Sequence, residues 1–389
     1  MTKKWSSRLT FFAFVVLMVG LGSNDSLRGI FSTIFQEHFS LTTTQLGLIV
    51  TASYIGNLVF LLVGGNLSTR FSKKRVLQVL ILIWMAALAL FAFTSNYTVL
   101  LIGMALALGS STLLNTTMNL ITPLLFATAP GFFVNFLFFT QEIGTSGSQY
   151  ILGSHADGFA FWQHTNLVLL ILGAVAFVLL LFCNVPEEAA APADAPAQKG
   201  GYDWRIIAPY VLVFGFYFIA EHGVMNWMVA YGVDGLGLPQ ASAAKYLSVF
   251  FGGMMIGRLC LSPLVDKLGA LKSLAAFGGV SCVLYLIGSL GGAVTMPVWA
   301  ISGLSFSILY PTLVMSIRLY FPAQQVSGAA GTILSIASLA DILFNVGFGK
   351  LVDMAGYAVS IRVLPLSALA FFIVFMLFTK FCKPTQKLK

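Results

Sequence analysis

The sequence predicts an all-α membrane protein of twelve transmembrane helices, arranged as two six-helix bundles related by pseudo-two-fold symmetry. Three observations carry that expectation. Of 389 residues, 58% are hydrophobic and 9% charged, with a mean hydropathy of +0.92. Apolar runs recur along the whole chain, and one long polar stretch lies near its middle. Soluble domains carry roughly 25% charged residues, so most of this chain belongs where charge is costly.

Each span follows from an apolar run of about 20 residues, the length that crosses the hydrocarbon. In order, the runs cover residues 9–36, 43–66, 75–94, 97–125, 133–153, 165–183, 206–232, 243–265, 271–290, 296–319, 327–350 and 360–380. They are continuous and lack period-2 alternation, which argues against a closed barrel. Residues 1–8 precede the first run as in a signal peptide, but that run is too long and has no small-residue cleavage site, so it reads as the first span.

Lys and Arg accumulate in cytoplasmic loops. With both termini inside, 16 of the 21 cations fall on the cytoplasmic side, against Lys245, Lys350 and Arg362 outside and Arg28 and Arg258 within spans. This distribution implies a multi-pass protein of a bacterial inner membrane, in contact with lipid. Residues 184–205 contain EEAAAPADAPAQKGG, a composition that cannot bury a core and reads as a cytoplasmic linker. It separates a bundle at 1–183 from one at 206–389, as expected of parallel repeats about an axis along the membrane normal.

The net charge of +8 comes from scattered clusters and forms no basic stripe, which argues against nucleic acid. Cys183, Cys260, Cys282 and Cys382 show no CxxC spacing and read as packing or lipid-facing residues, not metal ligands or disulfides. No GxxxxGK phosphate loop and no catalytic constellation is present, so neither ATP drive within this chain nor enzymatic activity is expected.

The loops after spans two and eight, GGNLSTRFSKKR and SPLVDKLGALK, form a weak internal repeat. Both resemble the major facilitator loop signature, with Thr69 where the first copy's acid belongs. Arg70 and Asp266 are the gate-latch candidates there, although the loops also read simply as positive-inside signals.

An ionisable group at mid-bilayer costs at least about 2.5–3.5 kcal/mol on insertion scales, which makes each one a functional candidate. Asp25, Glu142, Glu221 and Asp341 qualify, with Arg28 and Arg258 as cations for charge pairing or gating. Asp25 and Arg28 are three apart and share a helix face, so they could pair locally. Asn135, Glu142, Thr145, Ser146 and Gln149 fall within about 100° on span five, and Ser335, Ser338, Asp341 and Asn345 form a second stripe on span eleven. Span four adds Thr112, Asn115 and Asn119. Such stripes face a cavity or hydrogen-bond helices together. Amides, hydroxyls and carboxylates among aromatics suit a polyhydroxylated solute. Glu221, Asn226 and Trp227 lie close in span seven, where a break at Gly223 would turn both Glu221 and Trp227 inward.

GSNDSLRGIFSTIFQEHFSLTTTQLGLI, LLNTTMNLITPLL, FYFIAEHGVMNWMVAY, SVFFGGMMIGRL and SFSILYPTL, in this order, resemble the fucose/proton symporter family of major facilitator sugar transporters, including its sodium-dependent glucose relatives. The resemblance covers nearly the whole chain and implies the major facilitator fold. It puts Asp25 at the protonatable Asp and Asn115 where the second acid, a Glu, belongs; Glu142 could replace that charge. With the stripes, it gives Asn24, Asn119, Gln141, Gln149, Glu221, Asn226, Trp227, Asp341 and Asn345 as substrate-binding residues. The expected activity is import of a monosaccharide with a proton, or with sodium held near Asp25, by alternating access in a functional monomer without other cofactors. Proton-coupled export of an amphipathic compound and ligand sensing without transport are the alternatives.

Overall fold

The computed structural model describes residues 3–126, 130–186 and 203–384, with side chains except at residues 3, 4, 63–70, 130–132, 135, 262, 266, 323, 324 and 327. Every long element among them is an α-helix. The chain divides into two compact units, residues 1–41 with 48–199, and residues 42–47 with 200–389. The predicted linker falls largely at 187–202, outside the described residues.

The first unit contains α1 (Lys3–Ile30), α2 (Ser32–Phe39), most of α3 (Thr43–Arg70), α4 (Lys73–Phe93), α5 (Tyr97–Leu125), α6 (Pro130–Ile151) and α7 (Phe159–Leu181). The expected span 9–36 is a helical run bent at Phe31. Backbone hydrogen bonds from Phe31 to Leu27 and from Phe35 to Phe31, both 2.9 Å, carry the run through the bend. Phe35 then sets its ring edge-to-face on Trp162 at 4.8 Å, which fixes α2 on the start of α7. That aromatic cluster also explains why α7 begins at Phe159, six residues before the predicted start at 165. Asn96 caps α5, accepting from the Val99 amide at 3.2 Å.

Close approach of α1 and α6 needs two glycines. A Cβ on Gly22 would lie 2.1 Å from the Gln141 carbonyl oxygen, and one on Gly144 would lie 2.1 Å from that of Val19. Ser23 Oγ donates to Gly144 O at 3.3 Å and Thr145 Oγ1 to Gly22 O at 3.2 Å. Small residues and hydroxyls are how helices associate in lipid, where no hydrophobic drive acts between them.

The second unit holds α8 (Trp204–Ala230), a π-helical turn at Tyr231–Gly235, α9 (Gln240–Leu268), α10 (Ala270–Leu290), α11 (Met296–Ile301), α12 (Gly303–Phe306), α13 (Leu309–Ser316), α14 (Ala323–Ala355), α15 (Tyr357–Ser360) and α16 (Val363–Phe381). The expected span 296–319 is segmented into α11, α12 and α13. Ser302, Ser305, Ser307 and Ser316 each return a hydroxyl to a carbonyl three residues back, at 2.5–2.9 Å. Such back-bonding competes with the helical ladder and bends it. The expected break at Gly223 is absent: α8 is continuous, and a Cβ at Gly223 would lie 2.3 Å from Leu364 Cδ2. This glycine admits α16, so Glu221 and Trp227 stay about 120° apart around α8.

Among the described residues, eleven helices are long and apolar enough to cross a membrane. The helix α6, at the place of the predicted fifth span, is not among these eleven. It carries the polar residues Thr140, Gln141, Glu142, Thr145, Ser146, Ser148 and Gln149.

Candidate functional site

In the first unit the polar side chains converge from α1, α5 and α6. Ser111 Oγ donates to Asp25 Oδ2 at 3.2 Å, while Asp25 Oδ1 is shielded from solvent without a hydrogen-bond partner among the described residues. Arg28, three residues on, lies with its guanidinium carbon 5.8 Å from the centroid of the Tyr54 ring. A cation over an aromatic face gains electrostatic stabilisation without a second carboxylate. Asn24, beside Asp25, is 5% exposed.

An amide chain runs alongside. Asn119 Nδ2 donates to Asn115 Oδ1 at 2.6 Å, and Asn115 Nδ2 donates to Gln141 Oε1 at 2.7 Å. Asn115, where the resemblance expects the second acid, thus donates to the side-chain carbonyl of Gln141. Glu142, the residue expected to supply the missing charge, is half-buried on α6.

The predicted fifth-span stripe divides. Thr145 is turned onto α1, where it bonds Gly22, whereas Glu142 and Ser146 remain half-buried. Gln149 is fully buried, and neither of its amide atoms has a hydrogen-bond partner among the described residues. A buried primary amide with both ends unmatched is costly, which marks Gln149 as a place where a polar guest would be stabilised. The Asn135 side chain lies outside the described residues.

In the second unit α8 meets α14 through two polar contacts. His222 Nδ1 lies 2.8 Å from Asp341 Oδ2, and Trp227 Nε1 donates to Asn345 Oδ1 at 2.8 Å. Asn345 Nδ2 returns a bond to the Asp341 carbonyl at 2.7 Å, one turn back on α14. Ser338, on the same predicted stripe, instead bonds the Ser335 carbonyl of its own helix at 2.8 Å. Asn226 is buried beside Trp227.

On another face of α8, the buried Glu221 and the half-buried Arg258 of α9 are within electrostatic reach of Tyr217 and Tyr310. Tyr217 and Tyr285 both stack on Phe306, at 5.0 and 5.2 Å. Tyr285 Oη donates to the Ala220 carbonyl at 3.2 Å. Carboxylate, guanidinium and tyrosines among aromatic faces can take both the hydroxyls and the C–H surface of a polar ring.

Two helical units with these buried polar seams accompany a sequence match. The family model of the Major Facilitator Superfamily matches residues 10–344. The chain belongs to that family. Its fold is therefore the major facilitator fold, and it is a multi-pass membrane protein of a transporter family.

Among relatives of known name, the L-fucose-proton symporter of Escherichia coli (strain K12) is 24% identical over 406 residues, covering 93% of this chain and 90% of the relative. The glucose/galactose transporter of Brucella abortus (strain 2308) is 27% identical over 344 residues, covering 82% and 81%. A solved D-xylose-proton symporter shares the fold with a TM-score of 0.78 at 15% identity, covering 99% of each chain.

Within this facilitator frame, Asp25, Asn115, Asn119 and Gln141 occupy one seam, and Trp227, Asp341 and Asn345 another. Glu221 and Arg258 belong to the tyrosine wall. The side chains of Arg70 and Asp266, the gate-latch candidates, lie outside the described residues. His222, Ser111, Tyr54 and Tyr217 were not singled out from sequence. A histidine next to Glu221 in an apolar span was the available signal for His222; the others look like ordinary helix residues until their partners are known.

Proposed function

We propose that this chain imports a monosaccharide by cation symport through alternating access. The observation that carries the reading is Asp25, an acid in a membrane span within electrostatic reach of Arg28 and Asn24, with one oxygen held by Ser111 and the other without a hydrogen-bond partner among the described residues. Such a carboxyl accepts a cation in place of the missing donor, either a proton on the oxygen or sodium coordinated by it. The proton is preferred, because a single protonated oxygen becomes a donor and needs no ligand shell. The named relatives carrying fucose, glucose and galactose support a sugar as the solute, as do the amide chain of Asn119, Asn115 and Gln141 and the tyrosine wall around Glu221.

The distribution of Lys and Arg supports cytoplasmic termini in a bacterial inner membrane. A cation moving inward gains about 2.3 kcal/mol per charge per 100 mV, enough to concentrate a neutral sugar. The test is uptake of labelled hexoses, deoxyhexoses and pentoses into proteoliposomes under an imposed proton or sodium gradient. Stimulation by one gradient is expected and names the ion. Folded protein that takes up no sugar under either gradient overturns the reading in favour of export or a different solute.

A further inference from the structure

We infer that His222 and Asp341 form a second proton-binding site, seated in the second unit between α8 and α14 and separate from Asp25. The contact is short, 2.8 Å between Nδ1 and Oδ2, and its two ends differ in access. The Asp341 side chain is 2% exposed, whereas that of His222 keeps 23% of its surface accessible. The acid is therefore sealed in the helix seam, and the imidazole is the accessible end of the pair. Asp341 Oδ1 has no hydrogen-bond partner among the described residues, so the carboxyl is not neutralised by a ring of donors.

Charge decides what this pair does. A neutral imidazole on an ionised carboxylate leaves one net negative charge in a membrane span, which is costly. Adding one proton, as N–H on the imidazole or O–H on the carboxyl, cancels that charge and keeps the short contact. No other bond is made or broken, and water supplies the proton. The charges of the tyrosine wall act on one another, Glu221 of α8 on Tyr217, Tyr285 of α10 and Tyr310 of α13, and Arg258 of α9 on Tyr217 and Tyr310. Between Val363 and Thr379, α16 brings no titratable side chain, and neither do residues 42–47. Phe218 stacks on the His222 ring at 5.3 Å and 8°, which holds the imidazole in the plane that reaches Asp341.

The site is mechanically connected. Asp341 is joined through its carbonyl to Asn345, and Asn345 to Trp227, so α8 and α14 are tied at two levels about one turn apart. Loss of the proton leaves an unbalanced carboxylate inside this tie and favours arrangements of α8 and α14 that let water reach it. Proton occupancy in the second unit thus biases the same seam that carries Trp227 and Asn345.

The test needs no substrate, so it stands apart from the sugar reading. The chain has four histidines, and 15N-histidine spectra of the purified full-length protein can be followed from about pH 5 to about pH 9. One resonance, lost in His222→Gln, is expected to change protonation state in that range, and its proton affinity is expected to shift tenfold or more in Asp341→Asn. A His222 resonance that stays in one state throughout, or that titrates identically without the Asp341 carboxylate, overturns the proposal. Should Asp341→Asn fail to fold, the wild-type titration alone decides, read against His222→Gln.

Discussion

Trp227 Nε1 donates to Asn345 Oδ1 at 2.8 Å with both side chains fully buried, and Asn345 spends its own amide hydrogen on the carbonyl of Asp341. Interhelical bonds of this kind in membrane proteins contribute about 0.6 kcal/mol on average and up to about 1.7. A double-mutant cycle of Trp227→Phe and Asn345→Leu, read by unfolding in detergent, is expected to give a coupling in that range. Strictly additive losses would mean that the two helices are held by packing alone.

Asp25→Asn keeps a side chain of the same shape but cannot gain or lose a proton. Under the proposed coupling, proteoliposomes bearing this variant exchange internal for external sugar yet fail to accumulate it against a gradient. Accumulation at the wild-type level removes Asp25 from the coupling role and points to Glu142 or to the α8–α14 seam.

The α1–α6 contact predicts a sharp contrast between two glycines. Gly22→Ala forces a methyl to within 2.1 Å of the Gln141 backbone, whereas a Cβ on Gly147 meets nothing within 4 Å. Gly22→Ala is expected to lose stability by about 1–3 kcal/mol, typical of overpacking, while Gly147→Ala stays within about 0.5 kcal/mol of wild type. Thermal unfolding of the two purified variants side by side checks this; equal midpoints would refute the close approach.

Asp353, near the end of α14, accepts from the amides of Thr43 and Thr44 at 2.8 and 2.7 Å and from Thr44 Oγ1 at 2.5 Å. It serves the first turn of α3 as a capping residue would, although it comes from another helix. Helix caps contribute about 0.5–2 kcal/mol, so Asp353→Ala is expected to speed hydrogen exchange at Thr43 and Thr44 by about twofold to thirtyfold. Unchanged exchange there would show that water replaces the carboxylate without loss.

The placement of the helices was legible because a span of about 20 apolar residues has little other reading in a chain so poor in charge. Departures came where local chemistry outweighed hydropathy. Serines bent the tenth span, an aromatic cluster lengthened the start of α7, and close packing on Leu364, not a helix break, gave Gly223 its purpose. Asp25 and Asp341 could be found from their cost in lipid alone. What they touch could not: Ser111 and His222 lie 86 and 119 residues from the acids they meet. The fifth-span stripe illustrates the same limit. Periodicity places Thr145 and Glu142 on one broad face but cannot tell which of them meets α1.

The α1–α6 seam has a consequence for how the chain is made. Ser23 and Gly144 are 121 residues apart, so at roughly 5–20 residues per second a nascent α1 waits roughly 6–24 s for its partner. During that interval its hydroxyl is not stranded in lipid, because Ser23 Oγ also reaches the Val19 carbonyl at 2.8 Å within its own helix. Thr145 has the same recourse, to the Gln141 carbonyl at 3.2 Å. Each helix thus enters the bilayer with these hydroxyls already satisfied, and lateral assembly adds an acceptor instead of rescuing an orphan.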